Sequence, residues 1–465
     1  MSTTITRGKT MAEMRTSTIE ATTGMQNEKS IKLILGFTIV LVIMNTMMFN
    51  LALPKVAAQF LLSPSTTSWI VTGYSIVFAI ASITYSRLSD FIPIRKLFTI
   101  ALLSISIGSI IGLFSDSFSV LLGARLIQAA GAGAIPSLGM VLLTRYIPVS
   151  RRGLAMSGML SSISLGLGLG PVVGGFVVQY LGWHFLFIVT GLNLLLIPFF
   201  YLMLPKEKPA RGSFDLLGAL LIGTGTTGLL LFLTSKNLIP LIIGIIVLIL
   251  FAIRIRIAAN PFVLPALFRD KKYLTLVGIG IGAYMVSFSF LFIAPQLLSH
   301  VFKLNPSNSG LVLFPGAILA MVVSTRVGRI IDRYGNRGLI RIAPFMLLGS
   351  IILMALTATY SYFEVAIVYI LISVSFTAIS SAVSNELSRM LPKERIGSGM
   401  GLFQLLQFFS GAFGVALSGS ALVWQQSLPQ VRAFDNIIWG LTIVSLFSIV
   451  SAWLYRRFAA VKAAS

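Results

Sequence analysis

The stretch SGMLSSISLGLGLGPVVGG, Ser157 to Gly175, decides how the rest of the chain is read. Its last ten residues, Gly166 to Gly175, hold five glycines and one proline in a run otherwise apolar enough to cross a bilayer. Glycines in lipid let helix backbones approach one another closely. A proline is tolerated in mid-span because neighbouring groups satisfy the carbonyl it frees. The stretch therefore predicts a membrane helix that bends and is packed against on more than one side.

Composition agrees. With 56% hydrophobic and 10% charged residues over 465 positions, the chain lies far outside the soluble range. Apolar runs of about 20 residues, the length a bilayer requires, fall near 33–53, 68–86, 97–115, 118–143, 154–179, 184–204, 216–234, 239–258, 274–298, 310–329, 339–359, 364–386, 397–423 and 436–456. The expected fold is an all-α integral membrane protein with fourteen spans. The expected divisions are an arm at 1–30, a six-helix half at 31–205, a two-helix linker at 206–260, a second six-helix half at 261–457 and a tail at 458–465.

Lys and Arg test the count, because they gather in cytoplasmic loops. With the N-terminus inside, only Lys55, Lys236, Lys303 and Arg432 of the 35 basic residues fall outside, and Arg125 falls within a helix. Both termini are then expected in the cytoplasm. The net charge of +22 is spread over short loops, which suits anionic lipid and gives no single patch for nucleic acid. Residues 1–30 are polar and Thr-rich and read as a disordered arm. The first apolar run is long and lacks a small-residue cleavage site, so no removed leader is expected. Zero cysteines exclude disulfides and thiol chemistry. The two histidines, His184 and His300, are expected at the outer surface, so neither a metal centre nor a cofactor is anticipated.

Two loops repeat. Ser86-Arg87-Leu-Ser-Asp90-Phe91-Ile-Pro93-Ile-Arg95-Lys96 follows helix 2, and Gly328-Arg329-Ile-Ile-Asp332-Arg333-Tyr-Gly335-Asn-Arg337 follows helix 10. An Asp among Arg and Lys at a helix end can hold neighbouring ends together in one state and release them in another. The gating residues read from these loops are Arg87, Asp90, Arg95, Asp332, Arg333 and Arg337. Helix 4 carries Arg125-Leu-Ile-Gln128-Ala-Ala-Gly131-Ala-Gly133, and an arginine at that depth is costly unless it meets polar surroundings. It is either a functional cation or a structural clamp on helix 1. Helix 1 ends Asn45-Thr46-Met-Met-Phe-Asn50-Leu-Ala52-Leu53-Pro54.

These pieces resemble the major facilitator superfamily. The loops fit its G-x-L-x-D-R-x-G-x-R/K signature, with Ser86 and Pro93 in place of glycines and Phe91 in place of arginine in the first copy. The helix 4 run is similar to R-x-x-Q-G-x-G, with Ala129 at one glycine. Gly166, Gly170, Pro171, Gly174 and Gly175 match the helix 5 motif of drug exporters, whose first glycine falls on Ser157. The end of helix 1 resembles D-x-T-x-x-N-x-A-L-P of the fourteen-helix drug:proton antiporters. Trp69, Tyr74, Trp183-His184, Phe214-Asp215 and Asn260-Pro261-Phe262 add family-like pieces. Arg145-Tyr146-Ile147-Pro148 to Arg152-Gly153 looks most like the tetracycline exporters of Gram-positive bacteria.

The resemblance implies an exporter of drug-like amphiphiles in a bacterial cell membrane, working by alternating access as a monomer, with no enzymatic step. Asn45, Thr46, Asn50, Tyr74, Arg125, Gln128, Gln404 and Gln407 would line or support its cavity. The chain departs from the resemblance in its acids. All thirteen fall in the arm, in loops or at helix ends. The membrane acids of the tetracycline exporters align with Thr46, Leu167 and Gly411, and the family's helix 1 Asp aligns with Asn45. Proton coupling usually needs a desolvated carboxylate, so coupling stays open. With Arg125 as the one ion in the membrane, neutral or anionic cargo is expected over cationic cargo. Export of an endogenous lipid, peptide or metabolite is an alternative, and a membrane scaffold or receptor that no longer transports is another.

Overall fold

An apolar run in lipid must satisfy its own backbone hydrogen bonds, and a helix does so within one segment. The computed structural model describes residues 28–62, 64–207, 215–235, 237–258, 261–304, 306–357, 360–392, 396–425 and 427–461. Most of the expected arm, Phe214, Asn260 and the last residues of the tail lie outside them, as do the side chains of Asn50 and Pro54.

Among the described residues, fourteen helices are long and apolar enough to cross a membrane. They are α1 Glu28–Gln59, α2 Pro64–Leu88, α3 Ile94–Leu113, α4 Phe118–Tyr146, α5 Val149–Tyr180, α6 Trp183–Met203 and α7 Leu216–Ser235. The remainder are α8 Leu238–Ile257, α9 Lys271–His300, α10 Pro306–Tyr334, α11 Arg337–Thr357, α12 Tyr362–Met390, α13 Ile396–Trp424 and α14 Gln430–Val461. Helices α1–α6 form one half and α9–α14 the other. The halves meet where α5 packs on α10 and where α2 packs on α13, with α12 also against α5. Both described termini lie at the end rich in Lys and Arg, called the basic end below.

Several helices outrun their hydropathy windows, because charged residues end an apolar run without ending the backbone ladder. The start of α5 lies at Val149, so Arg151, Arg152 and Gly153 form its first turns instead of a loop. The start of α1 lies at Glu28, inside the expected arm, where Glu28 meets Lys32 at 2.8 Å and Arg151 at 3.1 Å. Its other end passes Pro54 and reaches Gln59. The α6 span is built from short α and 3-10 pieces. One restart is at Ile197, followed by Pro198, which has no N–H to give to the carbonyl of residue 194.

Candidate functional site: a gated cavity between the halves

At the basic end, Asp90 lies in the turn between α2 and α3. Its carboxylate accepts from Arg87 at 2.7 Å, from Arg145 at 3.4 Å and from Ser398 of α13 at 3.1 Å. Arg87 also donates to the Ser398 hydroxyl at 2.8 Å, and Ser86 donates to the Gly397 carbonyl at 2.7 Å. Burial lifts the Asp90 carboxyl above the ordinary carboxylate range, although Arg87 and Arg145 pull it back. The second copy works differently. Asp332 accepts from the backbone N–H of Gly153 at 2.8 Å and of Leu154 at 3.0 Å, in the first turns of α5. A carboxylate is favoured there by the positive end of the helix dipole.

Each loop of the repeat thus reaches the opposite half, Asp90 to α13 and Asp332 to α5. Of the other expected gate residues, only Arg87 joins such a contact. Arg95 stacks over Tyr201 of its own half at 3.6 Å, Arg333 lies over Tyr334 at 5.3 Å, and Arg337 is exposed beside Tyr455. Arg145 and Ser398 complete the Asp90 contact, and no motif in the sequence points to either in that role. Arg152 bridges to the Ser388 carbonyl of α12 at 3.1 Å.

The departures from the family signature are matched across these contacts. Ser86 stands at a glycine position, and the facing residues of α13 are Gly397 and Gly401. A Cβ on Gly401 would lie 2.6 Å from that of Ser86. Ser157 stands at the first glycine of the helix 5 motif, and its hydroxyl fills the space a side chain on Gly328 would need. One small partner at each crossing preserves the close approach.

The paired variant Asp90→Asn, Asp332→Asn should shift the protein toward a form open at the basic end. Charge-assisted hydrogen bonds contribute about 1.5–3 kcal/mol each, so a shift of about tenfold or more is expected. Spin labels on the exposed residues Leu154 and Ile330 should then move apart. An unchanged distance would mean that other contacts hold this end shut.

Above the gates, between the halves, lies a cavity of about 220 Å³. Thr46 and Met47 of α1, Tyr74 and Ser75 of α2, and Leu167 of α5 contribute one side. Phe288, Leu291 and Phe292 of α9 and Ala412, Val415 and Ala416 of α13 contribute the other. Phe78 and Phe408 meet across the seam edge to face at 4.9 Å, and Phe408 packs on Tyr284 at 5.8 Å, which floors the cavity toward the basic end. The polar residues of the wall are Thr46, Tyr74 and Ser75, the Tyr74 hydroxyl accepting from Asn45 behind it at 3.5 Å, and among the described residues none that lines the cavity is charged.

Of the expected cavity residues, Thr46 and Tyr74 line it. Asn45, Arg125 and Gln128 lie behind Tyr74, and Gln404 and Gln407 are buried in α13 toward the basic end. Arg125 is 1% exposed, with its guanidinium carbon 3.9 Å from the Phe49 ring centre and 4.1 Å from that of Tyr74. It donates to Asn45 at 3.2 Å and to Gln128 at 2.9 Å. Asn45 in turn accepts from Thr190 of α6 at 2.9 Å, and Gln128 donates to Ser109 of α3 at 2.8 Å. Ring faces and amide oxygens stabilise this cation. The Tyr74 ring separates it from the cavity, so it binds five helices of one half together and offers no charge to cargo in this state.

The glycines of α5 serve two different contacts. Gly166, Gly170 and Gly174 face α1, where an added Cβ on Gly166 would lie 2.9 Å from the Val40 carbonyl oxygen and one on Gly174 2.8 Å from the Met48 Cα. Gly168 and Pro171 face Ala317 and Gly310 of α10. Gly175 is half-buried beside Gly174.

The inserted pair, read from sequence as a linker, also contributes to the cavity. Leu230 of α7 lines it. Gly223 packs on Ile80 of α2, and Ser420 of α13 donates to the Leu233 carbonyl at 2.8 Å, so α7 spans the seam. Asp215 anchors the pair, accepting from Arg254 at 3.1 Å and from the backbone of Gly218 at 3.0 Å and Phe262 at 3.2 Å. Only the Phe214-Asp215 pair hinted at this in the sequence.

Comparison with known proteins gives the same picture. The family model for the Major Facilitator Superfamily matches residues 35–415. The riboflavin transporter RibZ of Clostridioides difficile (strain 630) is 26% identical over 394 residues, covering 83% of this chain and 86% of RibZ. The lincomycin resistance protein LmrB of Bacillus subtilis (strain 168) is 26% identical over 390 residues, covering 80% of this chain and 81% of LmrB. Among solved structures, the human organic anion transporter MFSD10 (TETRAN) shares the fold with a TM-score of 0.67 at 16% identity, over 92% of this chain and 100% of that one. With a family match over most of its length and fourteen spans in two halves around a cavity, this chain belongs to the Major Facilitator Superfamily, and its work is membrane transport.

Proposed function

We propose that the protein exports uncharged or weakly charged amphipathic small molecules, antibiotics among them, from the cytoplasm or inner leaflet of a bacterial cell membrane. The observation that carries this reading is the cavity itself. It is apolar and aromatic, bears three hydroxyls, and sits between two halves pinned together at their basic ends. The positive-inside rule puts the basic end and both termini in the cytoplasm, so the form described is closed toward the cytoplasm. Release of the Asp90 and Asp332 contacts would let the halves rock about the α5–α10 contact and expose the cavity to the cytoplasm. A single chain encloses the whole cavity, consistent with a monomer. Membership of the fourteen-helix drug:proton antiporters, and the likeness to tetracycline exporters, rest on the motifs quoted above.

The cavity offers no carboxylate to compensate a cation or to carry a proton, which favours neutral cargo. At about 220 Å³ it falls below the usual range for ligand pockets, about 300–1,000 Å³, so cargo binding requires expansion or a compact molecule. A second reading, transport of a flat endogenous metabolite, has the aromatic walls in its favour, since ring faces stack on Phe and Tyr. The similarity to RibZ points the same way.

The test is purified protein in lipid vesicles, with an imposed pH gradient or membrane potential, offered neutral, anionic and cationic amphiphiles and riboflavin. Saturable transport of neutral compounds is the expected result. Transport confined to cations would overturn the charge argument. Failure with every compound would favour a scaffold or receptor.

A further inference from the structure

Below the cavity floor, an unusual set of polar groups is buried without partners. On α12, Ser380, Ser381 and Ser384 are at most 1% exposed, and their hydroxyls meet no hydrogen-bond partner among the described residues. One amide oxygen each of Asn385 and Gln404, and both side-chain polar atoms of Gln407, share that condition. Buried polar groups are ordinarily paired. Leaving so many unpaired in one region disfavours the closed arrangement relative to one in which they find partners.

Their spacing says which way they point. Thr377, Ser381, Ser384 and Ser388 recur at helical intervals and share one face of α12. Both ends of that face meet the opposite half. At one end, Ser373 lines a small cavity together with Ser164 and Leu167 of α5. At the other, Arg152 of α5 donates to the Ser388 carbonyl at 3.1 Å and approaches its hydroxyl at 3.4 Å. On α13, Gln404 reaches the Met140 sulfur of α4 at 3.8 Å, again across the seam. Asn385 is held by its Nδ2, which donates to Asn336 of its own half at 3.1 Å; the other unpaired groups lie near the surface that the Asp90 and Asp332 contacts hold shut.

We propose that Ser380, Ser381 and Ser384, with Gln404 and Gln407, form the wall of the cargo cavity when the basic end opens. The proposal rests on the alternating-access reading above and names the binding surface of its second state. Opening brings water and cargo to donors and acceptors that the closed state leaves unmatched. All five side chains are neutral. The cargo they fit is an uncharged molecule with hydrogen-bonding groups along one side and an apolar or aromatic face along the other, the latter suited to Phe78, Phe288 and Phe408 above.

The chain has no cysteine, so single cysteines can be read one at a time. Ser381→Cys and Ser384→Cys report on the stripe, Ser157→Cys on the gate, and Leu371→Cys on the exposed side of α12, where Leu371 is 40% exposed. Each is placed in the natural background and in Asp90→Asn, Asp332→Asn. The proteins are then treated in vesicles, from the basic end, with a water-soluble cationic methanethiosulfonate. At positions 381, 384 and 157 the labelling rate should rise about tenfold or more in the gate variant, while position 371 stays unchanged.

A rise at 157 without a rise at 381 and 384 would overturn the proposal and leave alternating access intact. No rise at any position would mean that contacts other than those of Asp90 and Asp332 seal this surface, which overturns the proposal that releasing them uncovers the stripe. A second measurement does not need the gate to move. Ser381→Ala and Ser384→Ala each remove an unpaired hydroxyl and should raise the thermal midpoint of the closed protein. A lowered midpoint would mean that the hydroxyls are paired after all.

Discussion

Arg125→Ala should destabilise the N-terminal half by about 3–5 kcal/mol and abolish transport of every cargo together. Removing the guanidinium leaves the Gln128 oxygen without its donor, a loss of about 1–3 kcal/mol for a buried acceptor. It also removes two desolvated cation–ring contacts, about 2 kcal/mol each where solvent is excluded, while relieving the cost of burying the charge, which brings the net loss to about 3–5 kcal/mol. Asn45 keeps its bond from Thr190, so that side is partly spared. Arg125→Lys should rescue little, because a point charge cannot lie flat between Phe49 and Tyr74 while donating sideways to Asn45 and Gln128. Thermal unfolding in detergent and transport in vesicles check both variants. A fully stable Arg125→Ala protein that had lost only anionic cargo would make Arg125 a binding residue instead of a clamp.

Gly170→Leu should be the most damaging change in α5. The first side-chain carbon would already collide with Met47, and the Met44 carbonyl oxygen lies 3.1 Å away. Backbone cannot yield as a flexible side chain can, so the cost belongs at or above the upper end of the about 1–3 kcal/mol typical of overpacking. Gly168→Leu makes an informative contrast. It meets Ala317 of α10, across the seam, and should halt turnover by wedging the halves while leaving each half folded. The expected outcome is a lowered thermal midpoint with Gly170→Leu and a nearly normal one with Gly168→Leu, with transport lost in both. Normal transport by Gly170→Leu would mean that α1 and α5 separate easily.

Together these variants separate two roles that a sequence presents as one. Gly168 and Gly170 are neighbours in a single motif, yet they sit on different faces of α5. Arg125 looks like a charge offered to cargo, yet the ring of Tyr74 closes it off.

Sequence by itself determined the fourteen spans, the two-half plan and the two Asp-bearing helix ends that touch the opposite half. Each of these is written in local information: the length of an apolar run, the side on which Lys and Arg fall, and an Asp at a helix end. Helix ends were less legible, because Arg151 and Arg152 end an apolar run without ending a helix. Only the tertiary structure decided what each polar residue touches. Asp332 was read among arginines but caps the start of α5, because the first turns of α5 happen to lie beneath it. Ser86 and Ser157 read as departures from a glycine pattern, and the matching glycines, Gly397, Gly401 and Gly328, are on other helices. Leu230 is an ordinary leucine in sequence and a wall of the cavity in space. Side-chain roles of this kind depend on which helix faces which across the seam, and that is fixed by packing between residues far apart in the chain.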